Sequence, residues 1–142
     1  MPDPQPDQGA RVVRLQPEAL PLRVVDGHTL YSHVVVVQPG TQVFVAGQLA
    51  RDAKGKLVGK GDMRAQIRQV GENIKAALAA AGCTLADIVK TTTYVTDLDE
   101  FFKHVDVRMD YFRALPTSTT IQVSRLAHPD FLVEIEVVAA KP

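Results

Sequence analysis

A chain of 142 residues has room for one domain with a real core and none for a separate cofactor-binding unit. Its 16 basic and 16 acidic side chains cancel, with no Arg-rich stripe to follow a phosphate backbone, so nucleic acid is set aside as a partner. The lone cysteine, Cys83, excludes an internal disulfide and a thiolate zinc site, suits a reducing cytoplasm, and reads as a small apolar residue just after a helix.

Residues 1–10 hold three prolines and neither a basic nor an apolar leader region, and no later stretch approaches the roughly 20 apolar residues of a membrane span. The expectation is a soluble, unexported, cytoplasmic protein without a membrane partner. Residues 1–15 are assigned to a flexible tail, with Arg11–Leu15 a candidate short strand, and residues 16–142 to a single domain. Val34–Val37 and Gln42–Ala46 flank Gln38-Pro39-Gly40-Thr41, whose Pro-Gly centre suits a turn, and together they predict a hairpin. Gly47 ends its second strand, either as a simple bulge or because the missing Cβ admits a ligand or another strand.

Asp62 is placed to cap a helix from Met63, with Met63, Ile67, Val70, Ile74, Leu78 and Ala81 on its apolar stripe and Gly82 as a left-handed stop. Arg64, Gln66, Arg68, Glu72 and Lys75 fall mostly off that stripe. Ile88–Thr96 is a β-branched strand. A second helix follows, with Asp97 and Glu100 at capping-box spacing and Leu98, Phe101, Val105, Met109 and Phe112 at helical intervals.

Pro116–Leu126 and Phe131–Val137 alternate with period two, and the short link Ala127–Asp130 suits an antiparallel pair. As neighbours they set Thr120, Gln122 and Ser124 beside Glu134 and Glu136 on a polar sheet face, opposite the apolar face of Phe131, Val133, Ile135 and Val137. The plan is α+β: one mixed sheet with two helices packed on one face. The uncovered face carries part of the Val34–Val37 run, which is costly to leave in water, so the chain is expected to associate with copies of itself and to place clefts between subunits. The histidines show no metal spacing, and there is no Gly-rich phosphate loop and no defensible Ser-His-Asp order, so no metal site is expected.

Tyr31-Ser32-His33, Ala46-Gly47-Gln48, Gly61-Asp62, Ala81-Gly82, Asp87–Thr92, Val95-Thr96-Asp97, Val123–Leu126 and Val133–Glu136, in this order, resemble the RidA/YjgF family of reactive-intermediate deaminases over roughly residues 30 to 140. The resemblance implies a chorismate-mutase-like fold, a homotrimer with a central barrel, and three inter-subunit clefts. It also implies hydrolysis of small imines or enamines to 2-oxo acids and ammonia without a cofactor. By position it gives Tyr31 the pocket tyrosine's place, Gly47 the strand-end backbone contact, Thr120 the place of a frequent cysteine, and Glu134 the handling of water or a proton. Ser118 stands where deaminase-type members carry an arginine for the substrate carboxylate, and a serine hydroxyl offers one neutral hydrogen bond in place of a charged fork. Val105 likewise replaces a family asparagine.

Arg113, Arg125 and His128 read as solvated surface groups. Glu134 has the alternative of a solvent-facing pair with Glu136, and Tyr31 that of a residue at a subunit boundary. The resulting expectation is a RidA-like hydrolase of a small imine, enamine or related electrophile; the alternative is a non-catalytic trimer that binds a small metabolite.

Overall fold

The computed structural model describes residues 12–38 and 40–141. In chain order the elements are β1 (Val12–Leu15), β2 (Val24–Val25), β3 (His28–Thr29), β4 (Val34–Val37), β5 (Thr41–Gln48), α1 (Met63–Ala80), β6 (Ile88–Val95), α2 (Leu98–Phe102), α3 (Val105–Tyr111), β7 (Thr117–Gln122) and β8 (Val133–Lys141). Strands β5, β8, β6 and β7 form one sheet in that order, with β7 parallel to β6 and the other pairs antiparallel. Two short antiparallel pairs, β1 with β4 and β2 with β3, lie outside it.

Helix α1 begins and ends where the sequence supplies its punctuation. Asp62 Oδ1 accepts from the N–H of Ala65 at 3.0 Å, a cap that stabilises a helix start by about 1 kcal/mol. Gly82 takes φ 72°, and the N–H groups of Gly82 and Cys83 donate to Ala79 O and Leu78 O at 3.0 and 2.9 Å, closing a Schellman turn. Met63, Ile67, Val70, Ile74 and Leu78 are buried in one cluster with Val133, Ile135 and Val137 of β8, and with Phe101, Val107, Tyr111 and Phe112 from α2, α3 and the residue after it. All three helices therefore cover the same sheet face. Cys83 joins that core.

Gln66 departs from the reading that left it off the stripe. It is fully buried, and its amide is spent: Nε2 donates to Gly59 O and Asp130 O at 3.0 and 2.8 Å, and Oε1 accepts from the Leu132 N–H at 2.8 Å. One side chain thus ties two loops to the helix, which removes the penalty for burying it.

Three expectations are corrected. The stretch expected to be one second helix is two, so three helices cover the sheet. The N–H groups of Lys103 and His104 bond back three residues, to Glu100 O and Phe101 O, which tightens and ends α2 before α3 starts. Val34–Val37 and Gln42–Ala46 are not a hairpin: β4 pairs with β1 and β5 with β8. The Pro-Gly signal does not report a strand's partner, and the long β8 offers β5 a ladder that four residues of β4 cannot; Pro39 itself lies outside the described residues. The last two strands are not neighbours, because β6 lies between them, and the link from Val123 to Leu132 passes the end of β6 with bonds from Val123 N to Val95 O and from Thr96 N to Leu132 O. The candidate short strand at Arg11–Leu15 is found as β1, Val12–Leu15, paired with β4; residues 1–11 lie outside the described residues.

The second sheet face is left open. Phe44 is 73% exposed and Ile121 43%, and a shallow apolar cavity of about 330 Å³ there is lined by Val35, Val37, Phe44 and Val138 among others. Half of the Val34–Val37 run does border the uncovered face, as its composition predicts.

Candidate functional site

Three of the five predicted site residues come together. Tyr31, Ser118 and Thr120 line one cavity of about 570 Å³, walled also by Leu30, Phe102 and Arg108 and large enough for a small metabolite. Its position follows from backbone ties. The Ser32 N–H donates to Pro116 O at 3.1 Å, which fastens the segment before β4 to the start of β7. Gln16 clamps that segment from the other side, donating from Nε2 to Tyr31 O at 2.8 Å and accepting from the His33 N–H at 3.0 Å. The Tyr31 ring meets His33 edge-on at 5.2 Å, and His33 Nε2 reaches Pro21 O at 2.8 Å, so the tyrosine is held at the rim.

The floor of this cavity holds a residue that the sequence reading passed over. Arg108 is only 3% exposed, yet no carboxylate pairs with it among the described residues. Its Nη1 donates to Leu30 O at 3.0 Å and lies 3.2 Å from Met109 Sδ, its Nη2 donates to Ser118 Oγ at 3.1 Å, and the Phe112 ring lies 5.4 Å from the guanidinium carbon. Burial lowers its pKa to about 10, which leaves it charged at neutral pH. The signal was present in the sequence: Phe101, Val105, Arg108 and Phe112 follow one another at helical spacing, so an arginine stands on an apolar stripe. Arg113 and His128, in contrast, are well exposed and sit beside Asp110 and Asp130, as their solvated reading has it, and Arg125 is exposed too.

Glu134 and Gly47 make the second group. Gly47 lies at a register shift between Val45 and Gln48, so it is a bulge, and it is also a point of close approach. A Cβ built on it would lie 3.0 Å from Cδ and 3.2 Å from Cγ of Glu134 and still closer to Oε2, so the carboxylate occupies the space that the missing side chain leaves. Asn73 steadies the chain just beyond by donating from Nδ2 to Leu49 O and Arg51 O at 3.0 and 2.9 Å. Across the ladder from Glu134 is Tyr94, whose hydroxyl donates to Glu136 Oε1 at 3.4 Å and is held above its ordinary pKa chiefly by the charge of Glu136.

The two groups lie on opposite faces of the sheet. Thr120 pairs with Thr93, and Thr93 with Ile135, so these three point to the helix side, while Glu134 pairs with Tyr94 and Tyr94 with Ile121 on the open side. The expected polar face with Thr120 beside Glu134 is therefore not formed within one chain, because the intervening β6 and its register assign the two residues to different faces.

The family described as Endoribonuclease L-PSP matches residues 25–141, which takes in both groups. The chain belongs to the RidA/YjgF family. It is 43% identical to a RutC family protein of Pyrococcus horikoshii over 106 residues, covering 74% of this chain and 83% of that one. It is 37% identical to the 2-iminobutanoate/2-iminopropanoate deaminase of Salmonella typhimurium over 114 residues, covering 77% and 87%. A crystal structure of a Rid family protein from Yersinia pestis superposes with a TM-score of 0.81 at 32% identity, covering 92% of this chain and 99% of that chain. The mixed α+β plan is thus a family property, and the match spans nearly all of that Rid protein.

Proposed function

We propose that this RidA/YjgF protein hydrolyses small imines or enamines in clefts between copies of itself, with Glu134 moving protons and the Tyr31–Ser118–Thr120 cavity seating the substrate. The similarity to the Salmonella deaminase over most of both chains carries this reading. The geometry supports it with a carboxylate seated over Gly47 and a metabolite-sized cavity rimmed by hydroxyls. Because the carboxylate and the cavity face opposite ways, they serve one site only when the open face of one copy closes over the cavity of another. A homotrimer of the kind the family resemblance implies would supply that arrangement, and the exposed Phe44 and Ile121 offer it an apolar surface. An RNA substrate is not favoured for a chain whose basic and acidic residues cancel.

The chemistry asks little of the protein. Water adds to the C=N carbon while Glu134 takes its proton, and the same carboxyl returns that proton to nitrogen, giving a carbinolamine. Glu134 then removes the hydroxyl proton and delivers it to the departing nitrogen, so that a carbonyl compound and ammonia leave and the carboxylate is restored. An enamine first accepts a proton at carbon and gives one up from nitrogen, which makes it the imine.

The test is ammonia and 2-oxo acid release from imines made in situ by an amino-acid oxidase. Wild type is expected to accelerate release over buffer, and Glu134→Gln to lose that acceleration by a factor on the order of 10² or more, the scale of a proton-transfer group. Equal rates for the two proteins would remove Glu134 from the mechanism. No acceleration from any imine, with metabolite binding intact, would make the clefts binding sites and not catalytic ones.

A further inference from the structure

Arg108 is an expensive residue to place where it is. A guanidinium removed from water without a carboxylate partner is disfavoured unless its donors are satisfied or something charged arrives later. Three of its N–H donors are directed to Leu30 O, Met109 Sδ and Ser118 Oγ. The Nε–H and the second Nη2–H have no acceptor among the described residues. A buried guanidinium with two N–H donors still unspent has the means to receive a carboxylate.

The surroundings point the same way. Arg23 also lines the cavity, stacked over the Phe102 ring at 4.8 Å, while Asp99 is the one carboxylate in the lining, so positive charge is in excess. Ser118 Oγ accepts from Arg108, which leaves its O–H free to donate, and Tyr31 and Thr120 add hydroxyls. Leu30, Leu98 and Phe102 give an apolar wall for a short aliphatic part.

We propose that Arg108 on α3 is the anion anchor of this cavity and that it selects small substrates carrying a carboxylate. The inference rests on the reading of the cavity as the substrate seat of an imine hydrolase. It also gives Ser118 a role: the hydroxyl at that strand position fixes a guanidinium that reaches it from the neighbouring helix. The anchor comes from α3 and not from β7, and its fork is set in place before ligand arrives by Leu30 O and Ser118 Oγ.

The probes are 2-oxobutanoate and its methyl ester, which share the 2-oxo chain but differ in charge, titrated calorimetrically into the full-length protein at neutral pH. Wild type is expected to bind the acid at least about tenfold tighter than the ester, the scale of a charged bidentate contact. Arg108→Gln is expected to erase the difference by weakening the acid alone, and Arg108→Lys to restore part of it. Because Arg108→Gln removes buried bonds and can fail to fold, the ¹⁵N–¹H resonance of the wild-type Arg108 Nε–H is followed as well; the acid is expected to shift it and the ester not. Equal affinity for the two probes, absence of binding, or an unmoved Nε–H signal at saturation overturns the proposal. Ammonia release is measured in parallel to separate the two readings. Acid binding through Arg108 with no hydrolysis sinks the hydrolase and leaves the anchor, whereas Glu134-dependent hydrolysis that is indifferent to a substrate carboxylate sinks the anchor and leaves the hydrolase.

Discussion

Gly47 matters because of what a methyl group there would displace. Its backbone is not in the left-handed region, so Gly47→Ala introduces no torsional strain; the conflict is with the far end of the Glu134 side chain, which can swing aside. The expected result is a protein of nearly unchanged melting temperature whose ammonia release falls by a factor on the order of 10², since a misplacement of about 1 Å is worth that much to a reacting group. A variant as active as wild type would mean that the seat over Gly47 is not the working position of Glu134. The sequence offered two readings of this glycine, a bulge and a backbone N–H open to a ligand or another strand; the bulge is found, and the space without a Cβ is taken by the Glu134 side chain. Residue identity was less informative at Ser118, which reads in the sequence as one neutral hydroxyl, because its partner Arg108 reaches it from a helix and no local pattern reports that contact.

Among elements, the helices were the legible part. Their caps, stripes and stops are written within a few residues of each other, as in Asp62 to Ala65 and Gly82 to Ala79, and both were readable. Strand partners were not, since β5 and β7 each have alternation that fits several neighbours and the choice is made by β8 and β6, far along the chain. The contact of α1 with α3 is also nonlocal. Arg64 donates to both oxygens of Asp106, at 3.1 and 2.7 Å, and these bonds hold the Asp106 carboxyl down at about 2. A carboxyl whose folded pKa lies below its unfolded value of about 3.9 adds stability that is complete above roughly pH 4 and is lost as the pH falls through about 2. The urea midpoints of wild type and Asp106→Asn should therefore differ by a constant amount from neutral pH down to about pH 4 and converge towards pH 2. Both side chains are largely solvated, so the difference should be modest and should shrink in high salt. A gap that persists at pH 2 would show that the asparagine disturbs packing and not an ion pair.

At the scale of the whole molecule, the opposed faces make a prediction that no single-chain site can share. If catalysis needs Glu134 from one copy and the Tyr31–Ser118–Thr120 cavity from another, two variants that are each inactive must complement. Glu134→Gln keeps the cavity, and Ser118→Trp fills the cavity but keeps the carboxylate. Coexpressed at equal levels and assembled at random, they form composite sites in which half of the cavities and half of the carboxylates are intact, so roughly a quarter of the wild-type activity should return. Either protein alone, or the two mixed without subunit exchange, should stay inactive. The assembly itself depends on the open face, where Phe44 stands 73% exposed beside Val138, its partner across the ladder. Phe44→Asp sets a charge in that contact and should both lower the mass seen by light scattering and abolish the complementation. Mixed assemblies that demonstrably contain both variants yet recover nothing would place the carboxylate and the cavity in separate sites, and Glu134 would then revert to a solvent-facing partner of Glu136 on an open sheet.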